Sequence, residues 1–113
     1  LENMFDVYDI LLSPVLAAPP VKIGEIDMNT NDMKTYIDRL TKYSPFTGIF
    51  NQSGQPSMSV PLYRSKSNLP IGSMFSASFG NENLLFSLAG QLEKAEPWKD
   101  SLLEMRNNLI KTI

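Results

Sequence analysis

The chain has 113 residues, 10 basic and 12 acidic side chains, a formal net charge of −2, no cysteine and no histidine. Without cysteine there is no disulfide framework, thiolate metal site or cysteine nucleophile, and without histidine there is no Ser-His-Asp triad within the chain. Acids and bases alternate with no basic stripe, so a nucleic-acid partner is not expected.

The segment Leu1 to Tyr8 places Leu1, Met4, Phe5 and Tyr8 at the 3-4 spacing of one helical face and reads as the tail of a helix. "DILLSPV" follows as a short apolar run with Pro14 near its end, which predicts a buried strand. It is too short to cross a bilayer, and acids precede it, so no membrane partner and a cytoplasmic location are the expectations. The first residue is Leu, which suits a piece or processed product of a longer protein. "AAPPVKIGEID" reads as an extended connector, stiffened by Pro19 and Pro20.

"MNTNDMKTYIDRLTKY" predicts a helix capped by Thr30 or Asn31, with Met33, Tyr36, Ile37 and Leu40 on its apolar face. Pro45 ends it or opens a second helix over "PFTGIFNQS". Gly54 suits the left-handed position past that helix, and Pro56 forbids its continuation. Period-two patterning then predicts two strands. Met58, Val60 and Leu62 alternate with Ser57, Ser59 and Pro61; Ile71, Ser73, Phe75, Ala77 and Phe79 alternate with Gly72, Met74, Ser76 and Ser78. "RSKSNLP" between them is turn-like, so an antiparallel pair is expected, with an edge or a bulge at Pro61.

"NENLLFSLAGQLEKA" predicts a helix capped by Asn81, with a buried stripe of Leu84, Leu85, Leu88 and Leu92. Pro97 stops it and Trp98 packs back on the body. "SLLE", Ser101 to Glu104, has the capping-box form and predicts a last helix bearing Leu102, Met105 and Leu109. Strands and one-sided helices together give an α/β class: a mixed β-sheet covered by helices.

Ser53, Ser57 and Ser59 invite a serine-hydrolase reading. A nucleophilic serine needs a base within hydrogen-bond reach and donors for the oxyanion. The G-x-S-x-G elbow is absent, no S-x-x-K spacing surrounds Gly54, and Lys66 lies in the polar turn. Ser57 and Ser59 are therefore expected to be small residues on a strand face that another element approaches closely. Asp6, Asp9, Glu25, Asp27, Asp32 and Asp38 show no pairing that forces shared burial, and "GEIDMNTND" lacks the spacing of a calcium loop. No metal site is expected. Phe46, Phe50, Phe75, Phe79 and Phe86 read mainly as core. Phe46 and Asn51, at the kink between two helical pieces, are the substrate-pocket candidates.

Three stretches, in order, resemble the C-terminal part of amidase signature enzymes. "YDILLSPVLAAPPVKIGEID" resembles a strand ending in L-L-[ST]-P. "SPFTGIFNQSGQPSMSVPL" resembles the family form T-x-x-x-N-x-x-G-x-P-x-x-S-[VL]-P. "LPIGSMFSASFGNENLLFSLAGQLEKAEPW" resembles its closing strand and helix. The flavour is that of bacterial amidases of the 6-aminohexanoate cyclic dimer hydrolase type.

The resemblance implies a single unit, residues 1–113. Residues 1–98 match the C-terminal part of the family's α/β/α domain, and residues 99–113 form a helical tail. It implies amide hydrolysis by a Ser–cis-Ser–Lys mechanism without a cofactor. The family's Gly/Ser-rich nucleophile segment and its lysine have no counterpart here, so no catalytic residue is assigned in this chain and the chain alone is expected to be inactive. The implied partners are the remainder of the amidase chain and a small-molecule amide, with a homodimer as a further candidate. The alternatives are the A component of a tRNA-dependent amidotransferase, or a non-catalytic binding or structural module on the same scaffold.

Overall fold

The computed structural model describes residues 1–111, with nothing of the side chains of Glu2 and Leu109. Its order is α1 (Glu2–Phe5), β1 (Leu11–Pro14), α2 (Met33–Tyr43), α3 (Gly48–Ser53), β2 (Ser57–Arg64), β3 (Pro70–Ser76), α4 (Glu82–Ala95) and α5 (Trp98–Ile110).

The centre is the β2–β3 hairpin. Its turn is closed by Ser65 N–H donating to Leu69 O at 2.9 Å, with Asn68 in the left-handed region at φ 62°. Arg64 Nη1 donates to Asn68 O at 3.1 Å and holds the turn from the strand side. The sheet order is β1-β3-β2 with both pairings antiparallel. β2 is an edge strand, and its register with β3 shifts between Val60 and Tyr63. Pro61 sits inside that irregularity, where a missing N–H costs no ladder bond.

Register sorts the two faces. Met58, Phe75 and Leu12 lie opposite one another on one face. Against it α4 lays Leu85, and Val60, Phe75, Ala77 and Leu85 form the buried cluster, edged by Met58, Leu62, Leu88, Leu92 and Trp98. Trp98 thus packs back on the body as expected. Leu84, Leu88 and Leu92 of the predicted stripe are half-buried.

Three expectations need correction, and a fourth, the cap at Asn81, holds in position alone. Helix α2 is capped by Asp32 instead of Thr30 or Asn31. Asp32 Oδ1 accepts from Thr35 N–H at 3.0 Å and Oδ2 from Thr35 Oγ1 at 2.6 Å. Thr30 Oγ1 accepts from Asp32 N–H at 3.1 Å and so holds the cap itself. The last helix starts at Trp98, straight after Pro97, so Ser101 lies inside it and donates to Trp98 O at 3.0 Å instead of capping. Asn81 occupies the cap position of α4 but makes no side-chain cap bond. β1 is not a buried strand: it lies at the sheet edge, and Leu12 is 61% exposed. Of the last helix's predicted apolar residues, the Leu109 side chain lies outside the described residues, while Met105 is half-buried and Leu102 exposed.

Exposure is high throughout. The accessible surface is 8633 Å², against about 6,200 Å² for a folded monomer of this mass. The radius of gyration is 16.8 Å, against about 13 Å for a compact domain of this length. Helix α2 fully buries no residue; on its apolar face Met33 and Ile37 are exposed and Tyr36 and Leu40 half-buried.

Two outcomes follow from this packing. Leu85→Ala removes the one buried side chain of α4 and is expected to cost about 2–5 kcal/mol in urea unfolding. For Asp32, the Thr35 side-chain and backbone hydrogen bonds hold the carboxyl below its ordinary value. A carboxyl whose folded-state pKa is depressed contributes above its unfolded value and loses that contribution as pH falls through the folded one. Helicity followed by circular dichroism below about pH 4 should therefore fall more steeply in the wild type than in Asp32→Ala.

Candidate functional site

The sheet face away from α4 carries the serines. Register places Ser57 of β2 opposite Ser76 of β3, and Ser76 opposite Leu11 of β1. One step along, Ser59, Met74 and Ser13 form the next row. Ser57 Oγ and Ser76 Oγ are hydrogen-bonded at 2.7 Å, and Ser76 is fully buried. Gly72 stands on the same face. A Cβ there would collide with Ser59 Oγ and lie 2.9 Å from Val15 Cγ2. The chain after β1 thus presses onto this face, and small side chains are what let it approach. The helix-to-strand joint feeding β2 follows its sequence logic: Gly54 takes φ 79° and donates its N–H to Phe50 O at 2.9 Å, and Pro56 O accepts from Ala77 N–H at 3.1 Å.

The serine row pairs hydroxyl with hydroxyl. A hydroxyl becomes a nucleophile when a base takes its proton, and the partner of Ser57 is another hydroxyl. Among the described residues, Lys42 is paired with Asp38 Oδ2 at 2.8 Å and Lys66 is exposed in the hairpin turn. Ser53 Oγ donates to Ile49 O at 2.8 Å, Ser57 pairs with Ser76, and Ser59 Oγ lies over Gly72. Sequence reasoning named Ser57 and Ser59 but missed Ser76 as the partner. Both lay on the correct face, and only the hairpin register, set by turn length, joins them.

Four of the carboxylates, Glu25, Asp27, Asp32 and Asp38, have local partners. Asp27 Oδ1 accepts from Asn29 N–H at 2.9 Å, and Glu25 Oε2 from Lys22 N–H at 3.3 Å. Among the described residues no group of three or more acidic side chains could hold a metal ion, and no helix is long and apolar enough to cross a membrane. Of the pocket candidates, Phe46 is half-buried before α3 and Asn51 is exposed on it. The aromatics divide: Phe50 and Phe75 are buried, whereas Phe79 is 79% and Phe86 74% exposed. The core reading is therefore corrected for the last two. Phe79 follows the end of β3, with its ring against Gly54, and Phe86 projects from the outer side of α4.

Clefts lie elsewhere. One, of about 240 Å³, runs from Pro14 to Pro20 and is closed by Pro70, Ile71 and Gly72. A second, of about 400 Å³, lies between the connector and α2, beside Arg39, Lys42 and Tyr43. There Arg39 Nη1 donates to Glu25 O at 2.9 Å, and Ala17 N–H to Tyr43 O at 2.9 Å, tying the connector to the helix.

A three-stranded antiparallel sheet, a helix on one face and a serine row on the other accord with the comparisons to known proteins. The amidase family profile matches residues 1–86, and the chain belongs to the amidase family. AmiC of Mycobacterium leprae, a protein named as an amidase, is 40% identical over 96 residues, covering 85% of this chain and 20% of its own length. The A component of the glutamyl-tRNA(Gln) amidotransferase of Bdellovibrio bacteriovorus is 37% identical over 91 residues, covering 80% of this chain and 17% of its own. The solved structure of a 6-aminohexanoate cyclic dimer hydrolase with its substrate superposes with a TM-score of 0.68 at 31% identity, covering 86% of this chain and 21% of that one. The chain spans about one fifth of the length of these relatives.

The serine pair yields a direct test. Ser57→Ala leaves the buried Ser76 hydroxyl without its partner and is expected to cost about 1–3 kcal/mol. Adding Ser76→Ala removes the orphan, so the double variant should lose less than the sum of the two single losses in urea melts.

Proposed function

We propose that this chain is the C-terminal scaffold and pocket-wall portion of an amidase that hydrolyses carbon–nitrogen bonds of linear or cyclic amides. Membership of the amidase family over about one fifth of the relatives' length is the observation that carries this reading. The serine row without a base supports it from the chemical side. The nucleophilic serine, the bridging cis-serine and the lysine of the Ser–cis-Ser–Lys mechanism then lie in the preceding part of the parent protein. A neutral lysine takes the nucleophile's proton through the bridging serine; the serine oxygen bonds the carbonyl carbon, the C–N bond breaks as that proton passes to the leaving amine, and water then cleaves the ester, releasing the acid and restoring the serine. The present chain contributes sheet strands, covering helices and, through Phe46 and Asn51, part of the pocket wall. Its partners are the remaining amidase chain and the amide.

A second reading is supported by the likeness to an amidotransferase component over 91 residues: the parent works inside a multi-protein assembly. Copurification of the parent with the other amidotransferase components would favour it over the free amidase.

Assays against linear amides, a cyclic amide and aryl esters separate the outcomes. The 113-residue chain is expected to give no turnover, and the longer protein that carries it to hydrolyse at least one of them. In that protein Ser57→Ala is expected to keep turnover within about tenfold, the smallest loss ordinarily seen when an acid–base group is removed being larger. Robust turnover by the 113-residue chain, lost in Ser57→Ala, would place the chemistry here and overturn the reading.

A further inference from the structure

A third cleft, of about 340 Å³, opens between the end of β2 and the junction of α4 with α5. Pro61, Leu62, Pro97 and Trp98 supply its apolar walls, and Arg64 and Glu96 bring opposite charges to the same space.

Arg64 sets the chemistry. It is half-buried, and its hydrogen-bond partners are neutral: Nη1 donates to Asn68 O at 3.1 Å and to Asn68 Oδ1 at 3.4 Å. A charge withdrawn from water is ordinarily paired with an opposite one. Glu96 lines the cleft but does not take that role, since among the described residues the ion pair present is Lys42 with Asp38. Guanidinium and carboxylate therefore border one space without meeting across it.

Those charges select the occupant. A lone anion would suit Arg64 and be repelled by Glu96, and a lone cation the reverse. A neutral apolar molecule would take water from both charges and return no hydrogen bond. A molecule with a carboxylate at one end, an ammonium at the other and an apolar stem between them satisfies every wall at once. The planar fork of Arg64 matches a carboxylate. Glu96 accepts hydrogen bonds from the ammonium, and Leu62 and Trp98 cover the stem.

We infer that this cleft binds a zwitterionic ω-amino acid, its carboxylate on Arg64 and its ammonium on Glu96. The site goes beyond the amidase reading and is complete within this chain. Opening a cyclic amide leaves a carboxylate and an amine on one molecule, and that link to a source is the part that rests on the reading above.

Trp98 is the single tryptophan of the chain, so its fluorescence reports on the cleft. Titration of 5-aminopentanoate into the 113-residue chain should change it saturably, with a Kd of about 1 mM, ordinary for so small a ligand. Pentanoate and pentylamine, with one charge each, should bind at least about tenfold more weakly. Glu96→Gln, at an exposed position, should leave the circular dichroism spectrum unchanged. It should weaken 5-aminopentanoate by about tenfold and tighten pentanoate, which no longer meets a like charge.

The absence of a saturable change at about 50 times the expected Kd overturns the inference. So does equal binding of pentanoate or pentylamine, or an unaltered Kd in Glu96→Gln. The titration involves no amide turnover, so its failure is distinguishable from a failure of the amidase reading.

Discussion

Everything ordered in this chain hangs on the pairing of β2 with β3 and the seating of Leu85 on that pair. The hairpin closes a short turn at small entropic cost, and its register puts Met58 and Val60 on the same side as Phe75. That side is where α4 lands, and the buried cluster of Val60, Phe75, Ala77 and Leu85 is the result. A slip of one residue would send the serines into this core and the apolar residues into the serine row. The bulge at Pro61 and the left-handed Asn68 keep the register from slipping.

The other face works by the opposite rule. It holds Ser57, Ser59 and Ser76 beside the buried Met74, and at Gly72 the chain after β1 comes down through Val15 and leaves no room for a side chain. The hydroxyl pair Ser57–Ser76 satisfies a polar group at zero exposure. Away from the sheet, α2 and α5 are loosely attached. Helix α2 is tied to the connector by Arg39 and Tyr43 rather than by a buried stripe, and α5 holds to the core through Trp98.

Local chemistry was readable in the sequence, and tertiary completeness was not. Gly54, Pro56, Pro61 and the alternation in β2 and β3 each impose a backbone outcome within a few residues, and these expectations held except that β3 ends at Ser76 and leaves Phe79 outside the strand and exposed. The cap of α2 was misplaced by one or two positions because Thr30, Asn31 and Asp32 are all capable caps, and only the side-chain geometry at Thr35 decides among them. Ser101 mimicked a capping box inside a helix that Pro97 had already begun. Periodicity gave Leu12, Phe79 and Phe86 as apolar without saying what covers them. Burial depends on neighbours that a single segment does not encode. The pocket candidates Phe46 and Asn51 share that dependence, since a pocket wall is defined by its opposite wall.

The central claim is that this chain's buried core lies mainly in the β2–β3 hairpin and α4, with Phe50 of α3 added and α2 left without a buried residue. Native-state hydrogen exchange on the 113-residue chain tests it most directly. The account predicts the slowest amides in β2, β3 and α4, with those of α2 and α5 exchanging orders of magnitude faster. Equal, strong protection running through α2 and α5 would contradict it.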